Sequence, residues 1–106
     1  MKTIKQAIKE ICKPTPDGAS FTLPPDFPAF NGHFPEMPVL PAVVMIQMAL
    51  FAAGKKLKSV RRAKFAAPVS AGDTAEFIIS AKPDGLLDVV VKKNGAQCAS
   101  FQLHAE

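Results

Sequence analysis

Few side chains in this sequence are suited to chemistry, and those that are gather around one apolar segment. In "NGHFPEMPVLPAVVMIQMALFAAG", Asn31 to Gly54, His33 stands in a proline-braced stretch and Gln47 is the single polar side chain from Val39 to Ala53. A histidine suits general-base work near neutral pH. An amide can orient a water or a hydroxyl, but it has no proton to deliver. Glu36 is the nearby carboxylate that could supply an acid. Each residue also has a plainer reading. A lone histidine beside an apolar run often serves packing, and a buried amide must find a hydrogen-bond partner whatever else it does.

The remaining candidates are weaker. Cys12 and Cys98 lie far apart with no CxxC spacing, so free thiols are expected rather than a metal site or a disulfide framework. His104 reads as an exposed strand residue, and Met37, Met45 and Met48 as core or tunnel lining. The net charge of +4 is concentrated in "GKKLKSVRRAK", with Lys55, Lys56, Lys58, Arg61, Arg62 and Lys64. That run is either a solvated surface after a helix C-terminus or a docking patch for an acidic partner. No aromatic residue interleaves it, which argues against nucleic acid.

The elements that must position these residues follow from periodicity. A chain of 106 residues suits a single domain, 1–106, and 48% hydrophobic residues with 21% charged make it a folded rather than a disordered chain. The core at this size is modest, so a dimer would add buried surface. "MKTIKQAIKEICK" puts Ile4, Ile8 and Ile11 on one face of an amphipathic helix, residues 2–12, ending before Pro14. It lacks the apolar stretch of a secretory signal, so a cytoplasmic location is expected. "PTPDGAS" reads as a turn and "SFTL" as a short strand. From Pro24 to Pro41 the prolines restrict φ and oppose regular pairing, which predicts a stiff loop.

Pro41 suits the first turn of a helix running to Ala53, closed by Gly54. That helix is apolar nearly all round and too short for a membrane span, so it must be covered on most sides. Strands are expected in "SVRRAKFAAPV", "TAEFIISAKP" and "GLLDVVVKKNG", with "KNG" turning into "AQCASFQLHAE". The order predicts an α+β fold in which an antiparallel meander of about four strands curves round one helix.

These residues resemble a family. "NGHFPEMPVLPAVVMIQMA" is similar to the GHFPxxPVxPGVxxxEA motif of the hot-dog 3-hydroxyacyl-[acyl-carrier-protein] dehydratases, the FabA/FabZ-like group. "RAKFAAPVSAGDTAEF" is similar to the KxxFxxPVxPGDxL stretch that follows their central helix. The resemblance covers about residues 20–105. The short stretch before the proline loop leaves an early strand missing by comparison with a typical dehydratase, and here the chain looks more like the compact dehydratase-like proteins of aryl-polyene clusters.

The resemblance implies a dimeric hot-dog fold and a site with His33 as base, flanked by Gly32, Phe34, Pro41, Ala42 and Val43 on the substrate side. Backbone N–H groups between Val39 and Val43 would polarise the thioester carbonyl. Ala42 stands where the family has glycine, placing a methyl group near the thioester. Gln47 stands where the family carries Glu or Asp, the acid supplied across the dimer interface. No cofactor or metal is implied, since the substrate arrives on a 4'-phosphopantetheine arm. The implied partner is an acidic acyl carrier protein, docked by Lys55, Lys56, Lys58, Arg61 and Arg62, with a second hot-dog chain completing a homodimer or a heterodimer. Three functions remain open at this stage: a dehydratase, a thioesterase with Gln47 placing the hydrolytic water, and a non-catalytic carrier-binding or heterodimer subunit.

Overall fold

The structure, a computed structural model, describes residues 2–30 and 39–106. Gly32, His33, Phe34, Glu36 and Met37 lie outside the described residues. In chain order the elements are α1 (Ile4–Ile11), β1 (Cys12–Thr15), β2 (Gly18–Thr22), a 3-10 turn (Pro28–Phe30), α2 (Ala42–Ala53), β3 (Leu57–Phe65), β4 (Thr74–Ala81), β5 (Leu86–Lys93) and β6 (Ala96–Ala105).

α1 is the expected amphipathic helix. A reciprocal cap starts it: the Gln6 N–H donates to Thr3 Oγ1 at 3.1 Å and the Thr3 N–H to Gln6 Oε1 at 2.9 Å. Ala7 and Ile8 are buried, with Ile4 and Ile11 packed beside them. The segment read as a turn does turn, at Pro16 and Asp17, and it joins two strands as a hairpin. β1 and β2 pair from Cys12 opposite Phe21 to Thr15 opposite Gly18. Pro14 hid β1 from sequence, yet β1 is an edge strand, where a proline costs no ladder bond if its nitrogen faces outward.

All six strands join one antiparallel sheet in the order β1-β2-β4-β5-β6-β3. β4, β5 and β6 form the expected meander, and the β5–β6 hairpin turns at Asn94 (φ 54°) and Gly95 (φ 79°), a pair whose positive φ matches strand twist. β3 departs from expectation, because it pairs with β6 at the far edge and not with β4. The connection crosses the end of the sheet. It is held to β6 where the Ala66 and Ala67 N–H groups donate to Cys98 O, and to the β2 side where Gly72 N–H donates to Leu23 O at 2.7 Å. Strand alternation carries no record of such a crossing.

One hydrophobic cluster holds the molecule together. α2 contributes Val44, Met45, Met48 and Ala49, and the sheet contributes Phe21, Phe77, Val89, Val91, Phe101 and Leu103. Phe21 and Phe77 meet edge to face, 5.2 Å between ring centroids. α2 is less enclosed than its composition suggests, for Ala42, Val43 and Gln47 are exposed. Val43 and Gln47 are one turn apart, so the open side is a continuous stripe.

Gly18 has no room for a side chain. A Cβ there would lie 2.1 Å from the carbonyl oxygen of Phe77. Gly18→Ala is therefore expected to cost about 1–3 kcal/mol, read as a lower denaturant midpoint at unchanged slope. A loss below about 0.5 kcal/mol would show that the β2 end shifts freely.

Candidate functional site

The two motifs singled out in the sequence come together in space. Val39 forms an isolated bridge with Ser70, and the Leu40 N–H donates to Val69 O at 2.7 Å. The "PVSAGD" turn is itself braced: Ser70 N–H donates to Asp73 Oδ2 at 2.7 Å, while Lys93 Nζ donates to Pro68 O at 2.6 Å and lies 3.5 Å from Asp73 Oδ2. On the other flank, Phe27 and Phe30 pack edge to face at 5.8 Å, with Leu23 and Phe27 fully buried. So the stretch carrying His33 leaves one fixed point at Phe30 and re-enters another at Val39. A proline-rich sequence alone does not reveal that clamp.

α2 begins one residue later than expected. Pro41 is its N-cap (φ −63°, ψ 146°), and its carbonyl accepts from Val44 N–H at 3.0 Å and Met45 N–H at 3.2 Å. Of the N–H groups from Val39 to Val43, that of Leu40 is already taken by Val69, and Pro41 has none. The Ala42 and Val43 N–H groups lie at the positive end of the helix. Val43 is 62% exposed. The helix closes as expected at Gly54 (φ 68°), whose N–H reaches back to Phe51 O at 3.2 Å.

Gln47 opens on a groove of about 220 Å³ between α1 and α2, lined by Lys5, Ile8, Gln47, Leu50, Phe51 and Lys55. The helix start opens on another, of about 250 Å³, lined by Val39, Leu40, Ala42, Met45 and Phe65 among others. Five residues of helix turn through about 500° and rise about 7.5 Å, which puts Ala42 and Gln47 on different sides of α2. A single chain thus brings Val43 beside Gln47 but leaves Ala42 and Gln47 in separate grooves.

The basic run is divided by the fold. Lys55 joins the Gln47 groove, and Lys56 sits in the turn, where it exchanges backbone hydrogen bonds with Glu106 at 2.8 and 2.9 Å. Lys58, Arg61, Arg62 and Lys64 are exposed along β3, with Lys58 Nζ 3.6 Å from Glu106 Oε2. Lys5 was not singled out in the sequence, where it reads as the solvent face of α1. Its place beside Gln47 depends on α1 packing on α2, which no motif signals.

The other candidates settle into ordinary roles. Met45 and Met48 are core residues. His104 lies in β6, partly buried, opposite Ser59. Burial pushes both thiols upward, and Cys98 is almost fully enclosed, so neither is activated as a nucleophile. Among the described residues, no helix is long and apolar enough to cross a membrane.

Comparison with known proteins agrees with this architecture. The family model described as ApeI-like, ApeI dehydratase, matches residues 15–102. The 3-hydroxyacyl-[acyl-carrier-protein] dehydratase FabZ of Bradyrhizobium diazoefficiens is 43% identical over 65 residues, 47% of this chain and 42% of that protein. FabZ of Aliivibrio fischeri is 30% identical over 95 residues, 72% of this chain and 63% of that protein. The chain therefore spans between 42% and 63% of the length of these curated relatives. Among solved structures, the dehydratase heterocomplex ApeI:P from Xenorhabdus doucetiae superposes with a TM-score of 0.74 at 24% identity, covering 83% of this chain and 84% of that one. The E. coli PaaI protein gives 0.60 at 16% identity, covering 97% and 88%. The likeness to both structures establishes the hot-dog fold, and the match over residues 15–102 establishes the kinship: this chain belongs to the ApeI-like dehydratase family.

Proposed function

We propose that the chain handles 3-hydroxyacyl thioesters carried by an acidic acyl carrier protein, as a dehydratase-type subunit whose site is completed by a second chain. The observation that carries this reading is the placement of Gln47. It occupies the family's Glu/Asp position and projects from the open stripe of α2, not from the core. In the reaction, His33 removes the C2 proton, the C2=C3 bond forms, and the C3–O bond breaks. The departing hydroxyl leaves as water once it gains a proton. The N–H groups of Ala42 and Val43 suit the thioester oxygen, where negative charge develops. Gly32, Phe34 and Pro41 would frame the acyl group on that side. Gln47 can hold the hydroxyl but cannot protonate it.

The separate grooves of Ala42 and Gln47 favour a site built from two chains, with the helix start of one meeting the stripe of the other. A partner carrying Glu or Asp at the equivalent position would serve His33 fully, while Gln47 would leave the second site without its acid. Lys5 and Lys55 present positive charge at the Gln47 groove and, with Lys56 next in the chain, suit an acidic carrier. Lys58, Arg61 and Arg62, exposed along β3, would extend that surface.

The test is turnover of 3-hydroxyacyl and enoyl thioesters by the purified chain, alone and with a family member that retains the carboxylate. We expect slow or absent interconversion alone and at least about tenfold faster turnover in the mixture, a fraction of the usual general-acid effect. Full activity alone would remove the need for a second chain. Release of free thiol without enoyl product would make the protein a thioesterase.

A further inference from the structure

Strand alternation puts a cation in an apolar column. Along β5, Leu87, Val89 and Val91 face the core and are buried, and Lys93 is next on that face, opposite Ala75 of β4. A charge in such a place must be paired and hydrogen-bonded. The Lys93 side chain is 23% exposed; its Nζ donates to Pro68 O at 2.6 Å and lies 3.5 Å from Asp73 Oδ2. The Asp73 side chain is only 24% exposed. The two charges meet on the connection between β3 and β4 that crosses the end of the sheet.

That connection holds more than itself. Asp73 Oδ2 accepts from Ser70 N–H at 2.7 Å, and Asp73 N–H donates to Ser70 O at 3.1 Å, which closes the turn. On one side, Leu23 N–H donates to Asp73 O at 2.9 Å, and Gly72 N–H donates to Leu23 O. On the other, Leu40 N–H donates to Val69 O at 2.7 Å, one residue before the Pro41 cap of α2. Both flanks of the His33 stretch are thus fastened to one turn. Lys93 grips that turn at Pro68 and Asp73, on either side of Val69. Pro68 also lines the groove at the helix start.

Packing alone does not require a lysine there. A methionine would fill the same column, and Asp73 would keep its bond from Ser70 N–H. The charges add direction. Charge-assisted bonds are shorter and stronger than neutral ones, and here they tie one ammonium to a carbonyl and a carboxylate at fixed points. From Lys93 the contacts run through Asp73 and Ser70 to Val69, and from Val69 to Leu40 and the start of α2.

We propose that Lys93 and Asp73 are positioning residues for the site. Their brace on the turn from Pro68 to Asp73 fixes the start of α2, and with it the Ala42 and Val43 N–H groups that meet the acyl thioester. Both act through Val69 and Leu40 and neither touches the substrate. The proposal rests on the reading above for the identity of the thioester site, but not for the brace.

Three variants of the full chain test this. Lys93→Met keeps the stem and removes the donor. Asp73→Asn keeps an acceptor for Ser70 N–H and removes the charge. Lys93→Arg keeps both donor and charge. Amide hydrogen exchange by NMR should be at least about tenfold faster at Leu40 in Lys93→Met and Asp73→Asn, with Val89 and Phe101 as protected as in wild type. In the mixture with a carboxylate-bearing family member, both variants should lose at least about tenfold in kcat with KM changed less than about twofold. Lys93→Arg should restore both readouts, and K93M/D73N should be no worse than the weaker single variant. Unchanged exchange at Leu40, or faster exchange throughout the sheet, overturns the proposal whether or not the mixture turns over. A wild-type kcat with Leu40 loosened also overturns it. Local loosening at Leu40 with no turnover by the wild-type mixture upholds the brace and sinks the dehydratase reading instead. If Lys93→Met does not fold, Asp73→Asn carries the same test.

Discussion

The His33→Ala variant, assayed with a partner chain that supplies the acid, should lose dehydratase turnover by about 10²- to 10⁴-fold. That range is what a positioned proton acceptor contributes, and no other imidazole stands in the motif: His104, the second histidine, is in β6 opposite Ser59. The loss should come without unfolding. The two ends of the His33 segment are fastened by Phe27 packing on Phe30 and by Leu40 donating to Val69, and neither contact involves the imidazole. The comparison is therefore of kcat at matched circular dichroism and matched association with the partner. Wild-type turnover in the variant would assign the base elsewhere, with Glu36 the first residue to substitute. A fall confined to KM would make His33 a binding group.

How far the sequence reached depended on whether a feature is local. The Ile4, Ile8 and Ile11 stripe, the Pro41 to Gly54 span and the Asn94–Gly95 turn are each set by neighbours within a few residues, and each appears where expected. β1 was hidden because Pro14 reads as a breaker, and only its position at the sheet edge makes it tolerable. The β3 crossover was hidden because pairing partners are chosen over long distances. Cys98 holding Ala66 and Ala67 fixes it, and nothing near residue 66 announces this.

The site divides in the same manner. Its residue types were legible as a motif, and the family they indicated is the family to which the chain belongs. What the motif could not express is which side of α2 each member faces. Ala42 and Gln47 are five residues apart in sequence yet open on separate grooves, and Lys5 enters the Gln47 groove from a different helix. The open stripe of α2 was also unexpected, because an apolar helix gives no sign of which side a single chain leaves uncovered.

Gln47→Glu should raise dehydration by the purified chain at least about tenfold, part of the full effect of a general acid. The substitution keeps the shape of the side chain and restores a proton. The size of the gain depends on the groove. A carboxyl in water titrates near about 4.3, and neighbouring cations favour its ionised form. Lys5 and Lys55 line the same groove as position 47, so the new carboxyl should be largely ionised at neutral pH unless a second chain covers it. Two consequences separate this account from a general structural effect. The gain should be greater at pH about 6 than at pH about 8, because the acid must hold its proton to donate it. Adding Lys5→Gln should enlarge the gain by removing a cation that favours the ionised form, while Lys5→Gln alone should leave the chemical step unchanged. No gain in a folded Gln47→Glu protein at either pH would mean that position 47 does not meet the reacting hydroxyl, and the open stripe of α2 would then be a contact surface alone.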